Sequence, residues 1–438
     1  MLQDQWGNDL STTSRDAVAA YDSAIFDFLE YRLTLGDRVK AILAADPECL
    51  MGLCFRGYML MQFGSNAVLG KVREVLEPLE ARAGNGTPRE QLHVKALRAW
   101  MEGRVREARG HWERIAISHP GDLLALRLHH FMSFWQGDRQ GLRDVPAGAV
   151  AAADEAMPGY GFLLSMLSFG TEECGDYARA EAFGRQAVSL NDNDLWGIHA
   201  VAHVLEMQCR HQDGIAFLDQ PFGTWSDRNP FKDHVWWHTA LFALELGEFE
   251  RVLDIYDREV KVNEVGFYLD VQNAVSMLMR LKLSGVDVGD RWDLLADLAA
   301  SRKGDHVMPF TDAHFLMALI GADRRTEADD YRRSLVTFAS DNDDDAANVT
   351  RQIGIPLANA LSAYGAGRNA EAADTLYTIR HDLAPLGGSH AQQDVFHQIL
   401  IDAATKSGKT DMARSLLRER SIVRPGTTWA EKRLAALG

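Results

Sequence analysis

Apolar positions along this chain recur at intervals of three and four residues, the period of a helix buried along one face. Alternating apolar and polar runs bounded by turn residues are lacking. Asn85-Gly86 sits in a polar linker instead of between two such runs. Pro occurs at only 12 positions, which suits long uninterrupted helices. The pattern predicts an all-α protein.

One local phrase repeats: an apolar helix, a small turn centred on Gly, then a second helix with Ala at a fixed offset. It reads LTLGDRVKAIL, WMEGRVREARGHWE, FWQGDRQGLRD, EECGDYARAEAFGRQAVSL, LELGEFERVLDIYD, LIGADRRTEADDY, AYGAGRNAEAADTLY and KSGKTDMARSLL. The turn residues Gly103, Gly137, Gly175 and Gly247 are separated by 34, 38 and 72 positions, and EMQCRHQDGIAFL falls inside the longest gap with Cys209 in the glycine place. A spacing near 34 is the tetratricopeptide period. Gly ends the first helix in a left-handed cap, and Ala108 and Ala180 keep the second helix close to it. A single helix pair cannot bury its apolar face, so successive pairs must stack.

The expected fold is therefore an α-solenoid of tetratricopeptide-like helix-turn-helix repeats, roughly nine to eleven hairpins, curled around a concave pocket lined by histidine. Residues 1–80 are expected to form N-terminal capping helices, 91–383 the central repeats and 384–438 the helices closing the array. The apolar segment 50–63 fits a buried cap or a dimer contact. The acidic run at 341–345 reads as a solvated loop, since it lacks calcium-hand spacing.

Composition sharpens this picture. At 438 residues the chain is too long for one ordinary compact core, and a stacked array sharing an elongated core resolves that. Asp plus Glu is 62 against 46 Lys plus Arg, a formal charge of −16. That deficit of cations opposes binding to nucleic acid and to anionic membrane surfaces. Four cysteines without a C-x-x-C pair offer no disulfide framework, zinc ribbon or dithiol couple. The polar N-terminus and the absence of a long apolar run predict a cytoplasmic protein. No phosphate-binding loop or G-x-S-x-G elbow is present.

Histidine carries the candidate chemistry. HAVAH supplies His199 and His203, and HVWWH supplies His234 and His238. Each pair is spaced i, i+4, so both imidazoles leave one helix face, and Glu206 follows on the face of His203. The four histidines would bind a divalent transition metal such as zinc, iron, nickel or copper. They would equally serve as a metal-free proton-transfer cluster. HAVAH is not the zincin helix, because Ala200 stands where that motif has its Glu. His130 and His314 each lie seven residues before their turn glycines, Gly137 and Gly321, and would line the same concavity with Trp237. In GGSHAQQDVF, His390 and Asp394 share a helix face as further acid–base candidates, beside Ser389 and Gln392 as binding candidates. Ser389 is better placed to cap that helix than to act as a nucleophile.

The phrases DLWGIHAVAHVLEMQ, HVWWHTALFALELGEFERVLDIYD, VDVGDRWDLLADL, FTDAHFLMAL and GGSHAQQDVF together resemble the tetratricopeptide repeat protein 38 family, also called StaR-like. The resemblance runs from about Leu92 to the segment Arg424 to Trp429. It implies a helical-repeat fold; some members occur beside antibiotic biosynthesis genes, where an oxidative or hydroxylating role has been suggested for them. The family phrases fall on His199, His203, Glu206, His234, Trp237, His238, Ser389, His390, Gln392 and Asp394. The chain departs at Cys209, where Gly is usual, and at Gln393, where Arg is usual.

Two readings stay open. In one, a small molecule is bound or transformed in the histidine-lined pocket. In the other, the groove is a non-catalytic scaffold for a peptide or protein partner. The helices before the turns carry His, Trp and Phe where a carboxylate clamp would need Lys and Arg. Self-association into a homo-oligomer is open in both.

Overall fold

The computed structural model describes residues 1–220 and 225–437. The described chain is all-α, apart from a short ribbon pairing Leu2–Gln3 with Asp9–Leu10. The sequence pattern did not predict that ribbon, because two-residue strands are too short to establish alternation.

Most of the expected turns join helices, but Gly36 lies inside helix Leu35–Ala45, and Asp323, not Gly321, takes the left-handed position after helix Pro309–Gly321. Gly103, Gly137, Gly175 and Gly247 all take left-handed backbone conformations, with φ between 65° and 85°. The following residue often completes the turn. Asp138 and Asp176 accept a hydrogen bond from the third backbone N–H beyond them and so cap helices Arg139–Ala152 and Tyr177–Leu190. A Gly-Asp pair thus closes one helix and opens the next. Ala108 and Ala180 are fully buried at the helix contacts.

The chain forms two compact units. The first comprises residues 1–201 and 225–229, and the second residues 202–220 and 230–437. Helix Leu195–Met207 runs without interruption through the point where the assignment changes.

In the first unit, helix Tyr160–Glu173 is buried on all sides between Arg139–Ala152 and Tyr177–Leu190. Gly170 permits that approach: a methyl group there would clash with the Leu142 carbonyl oxygen. Helix Leu50–Met61 is also largely buried, through Met51, Cys54, Phe55 and Tyr58. Residues 84–87 make a short turn into helix Pro88–Met101, which opens with a capping box between Thr87 and Glu90.

In the second unit, helices Phe231–Leu246, Tyr268–Leu283 and Pro309–Gly321 pack in succession, and His390–Lys406 packs on Tyr268–Leu283. Helices Thr410–Val423 and Thr428–Leu437 then fold back. Thr428 donates to the Glu245 carbonyl, and Arg433 donates to that of Leu283, fastening the last helix to the ends of two earlier ones. In the acidic run, Asp343 is exposed and Asp344 caps helix Asp345–Val349.

Cys209 adopts φ 55°, the conformation that glycine takes at the equivalent turns. A side chain in that region costs about 1–2 kcal/mol. Cys209→Gly is therefore expected to raise the urea midpoint of the second unit, by an amount equivalent to about 1 kcal/mol, in equilibrium denaturation followed by circular dichroism.

Candidate functional site

Two helices build the site. Helix Leu195–Met207 carries His203 and Glu206, and helix Phe231–Leu246 carries His234 and His238. The i, i+4 spacing aims the imidazoles of each helix the same way. His203, His234 and His238 can each bring one ring nitrogen within 4.8 Å of the others, and all three are buried. His199 lies one turn before His203 on the same helix, in the part of it assigned to the first unit. The His203 and His238 rings meet edge to face at 4.5 Å between centroids, and those of His234 and His238 at 5.0 Å.

Two of these rings are oriented by partners outside the cluster. Nδ1 of His238 lies 2.7 Å from Oε2 of Glu206. Nδ1 of His234 lies 2.8 Å from Oδ1 of Asn273, on helix Tyr268–Leu283. Both partners accept, so each Nδ1 carries the proton and each Nε2 carries the lone pair. Trp237 stacks on His234 at 5.2 Å and closes one side with its fully buried indole.

Burial sets the charge state. Loss of hydration pushes the His234 pKa down to about 3 despite its hydrogen bond to Asn273, and that of His203 well below its ordinary value. The charges of His238, His234 and His390 push His203 the same way. Glu206 is also buried, which opposes its ionisation. The hydrogen bond and charge of His238, helped by Arg424 and Arg280, outweigh burial and hold it below the usual carboxylate range. The site therefore sets the neutral imidazoles of His203 and His234 beside a carboxylate fixed against His238.

Behind Glu206 lies a small cavity of about 20 Å³, with room for one water. Its wall includes Glu206, Arg280, Asp394, Gln398, Arg424 and Thr427. Asp394 receives both Nη atoms of Arg420, Nε2 of Gln398 at 2.8 Å and, at 3.7 Å, Nη1 of Arg424. Burial disfavours its charge, but Arg420 and Arg424 overcome it and hold the pKa well below the usual value. Asp394 is a permanent anion locked by arginines, which does not suit it to exchange protons near neutrality. Arg280, buried against the Trp237 ring, donates to the Ala391 carbonyl at 2.7 Å, and burial lowers its pKa to about 10.

The remaining sequence candidates have other partners or positions, though His390 still acts on His203 through its charge. His314 donates through Nδ1 to the Phe310 carbonyl at 2.8 Å and packs on Phe310 and Phe396. Ser389 and Gln392 form a reciprocal capping box, the structural role read for Ser389. His390 is the first residue of that helix and half-buried. Gln393 donates to the carbonyls of Leu383, Gly387 and Gly388, tying down the loop before the helix. His130 lies in the first unit, edge-on to Phe169 and Trp196.

Asn273, Arg280, Arg420 and Arg424 were not anticipated. Arg280 corrects the expectation that helices before turns lack cations: helix Tyr268–Leu283 precedes left-handed Gly285 and carries it buried. Arg127, on helix Leu123–Trp135, is a second such buried cation. Asn273 and Arg280 share their helix with Asp270, Gln272, Ser276 and Lys282, so only the i, i+4 spacing of Arg420 and Arg424 stands out in the sequence.

No known family model matches the chain. Among the described residues, no helix is long and apolar enough to cross a membrane.

Two expectations follow. His234 and His314, with pKa values near 3 and 4, stay neutral in the folded state, whereas in the unfolded chain they protonate near 6.5. The unfolded state thus binds more protons below pH 6.5. Stability should fall by up to about 1.4 kcal/mol per histidine per pH unit between 6.5 and 4, read as a declining urea midpoint. Asp394→Asn should destabilise the second unit by about 3–5 kcal/mol, because it leaves buried arginines without their counter-charge. Thermal unfolding compared with wild type measures that loss.

Proposed function

We propose that this is a tetratricopeptide-type helical-repeat protein whose paired histidines hold one divalent transition-metal ion, at which a small molecule is bound and transformed. The observation that carries the reading is the hydrogen bonding of His234 and His238. Each Nδ1 is committed to Asn273 or Glu206, so each Nε2 lone pair is directed elsewhere. A carboxylate or amide behind a ligating imidazole fixes its tautomer and raises its basicity, the usual outer shell of a histidine metal centre. His203, neutral through burial, is ready to ligate without losing a proton. An all-imidazole set suits zinc, copper, nickel or iron over magnesium or calcium, which prefer oxygen ligands.

The glycine-turn period and the capped helix pairs support the repeat architecture, and the resemblance to the tetratricopeptide repeat protein 38 family agrees with it. The net charge of −16 fits a protein of the cytoplasm that avoids nucleic acid and anionic lipid. The peptide-scaffold reading gains less support, because the cluster and Glu206 are buried, whereas a peptide groove is an exposed surface.

Purified protein stripped with chelator and reloaded should bind close to one equivalent of zinc or copper in elemental analysis. His234→Ala combined with His238→Ala should abolish that binding. Glu206→Gln should weaken it by about 10–100-fold in a competitive chelator titration. Stoichiometric metal retained by the double variant would sink the proposal.

A further inference from the structure

Far along the chain from the paired histidines, a different histidine is engaged through both ring nitrogens. His306 lies in the turn between helices Asp293–Ser301 and Pro309–Gly321. Its Nδ1 is 2.9 Å from Oδ1 of Asp312, and its Nε2 is 3.0 Å from Oγ of Ser334. Asp312 also accepts from the Tyr331 hydroxyl at 2.6 Å. Tyr331 and Ser334 stand one turn apart on helix Arg325–Asp341. His306 and Asp312 are almost wholly buried, whereas Ser334 is half-buried and reachable from solvent.

The order of groups is that of an activated hydroxyl: nucleophile, base, and a carboxylate that orients the base. Asp312 accepts the hydrogen bond from Nδ1–H and so leaves the Nε2 lone pair facing Ser334. Tyr331 steadies the carboxylate. Burial pushes the Tyr331 phenol well above its ordinary pKa, so it remains a donor. The Ser334 hydroxyl has a second acceptor, the Tyr331 carbonyl at 2.7 Å, and rotation about Cβ–Oγ moves its proton between the two. The backbone records the constraint: His306 sits at φ 40°, a left-handed conformation that costs a non-glycine residue about 1–2 kcal/mol.

We propose that Ser334 is a covalent modification site that takes an acyl group from small activated esters, independently of the paired histidines. Oγ attacks the ester carbonyl carbon while its proton passes to Nε2 of His306. The bond from that carbon to the leaving oxygen then breaks, and His306 returns the proton to the departing alcohol or phenol. The products are an O-acyl serine and the free alcohol, with no change of oxidation state. Backbone N–H groups inside a helix are committed to its own carbonyls, so neither tetrahedral oxyanion is stabilised by them; an ester with a good leaving group still acylates Ser334, whereas the resulting O-acyl serine, an unactivated alkyl ester, is not hydrolysed. The acyl group should accumulate on Ser334 without turnover.

The full chain treated with p-nitrophenyl acetate should release one equivalent of p-nitrophenolate in a burst. Peptide mapping should then find a single acetyl group on Ser334. Ser334→Ala, on a half-buried helix face that tolerates the change, should lose both the burst and the label. Asp312→Asn should slow labelling of Ser334 by about 100-fold or more, with helix content checked by circular dichroism. The proposal is overturned if wild type carries no acetyl on Ser334, or if Ser334→Ala keeps the burst. It is equally overturned if a folded Asp312→Asn variant labels Ser334 at the wild-type rate. Metal binding by the paired histidines is a separate measurement and does not bear on this outcome.

Discussion

The hydrogen bond between Glu206 and His238 is the contact on which the surrounding architecture turns. It joins two helices through a carboxylate and an imidazole that are both buried. A carboxylate in that position survives only if its charge is met. His238 meets it on one side. On the other, Arg280 and Arg424 lower the cost, and those arginines answer in turn to Asp394, itself held by Arg420. One polar contact between two helices thus recruits charged partners from helices Tyr268–Leu283 and His390–Lys406 and from the C-terminal helix pair. Removing any member leaves an uncompensated charge away from water, which is why such networks behave as units.

That network also separates two roles that one sequence motif had merged. His390 and Asp394 share a helical register and look like an acid–base pair. In the fold, Asp394 is saturated by guanidinium groups, while His390 begins the helix at its half-buried end. Asp394 acts on the site through Arg424 and Glu206, by fixing charge and not by exchanging protons.

Much of the helical framework was legible because it rests on local physics. Left-handed glycines, aspartate caps and buried alanines follow from short-range rules, and Gly137-Asp138 and Gly175-Asp176 show them working in sequence. The i, i+4 histidine pairs were legible for the same reason. What the sequence left hidden is long-range. Nothing near His234 names Asn273 as its partner, and nothing near Glu206 names Arg424. His306 drew no notice because its partners Asp312 and Ser334 lie on two different helices. Cys209 is the converse case: the local rule asked for glycine, and the backbone kept the glycine conformation with cysteine in place.

Arg424 reaches back across 217 residues to contact Met207, one position after Glu206. A ribosome adding about 5–20 residues per second needs on the order of 10–40 s to make that stretch. Throughout that interval Glu206 lacks the Arg424 charge that, with Arg280, favours its ionised form in the finished molecule. Helix Leu195–Met207 must therefore wait in a wetter, looser state while the chain lengthens. The second unit can dry its interior only after helix Thr410–Val423 has emerged, so its folding is timed by the last part of its own synthesis.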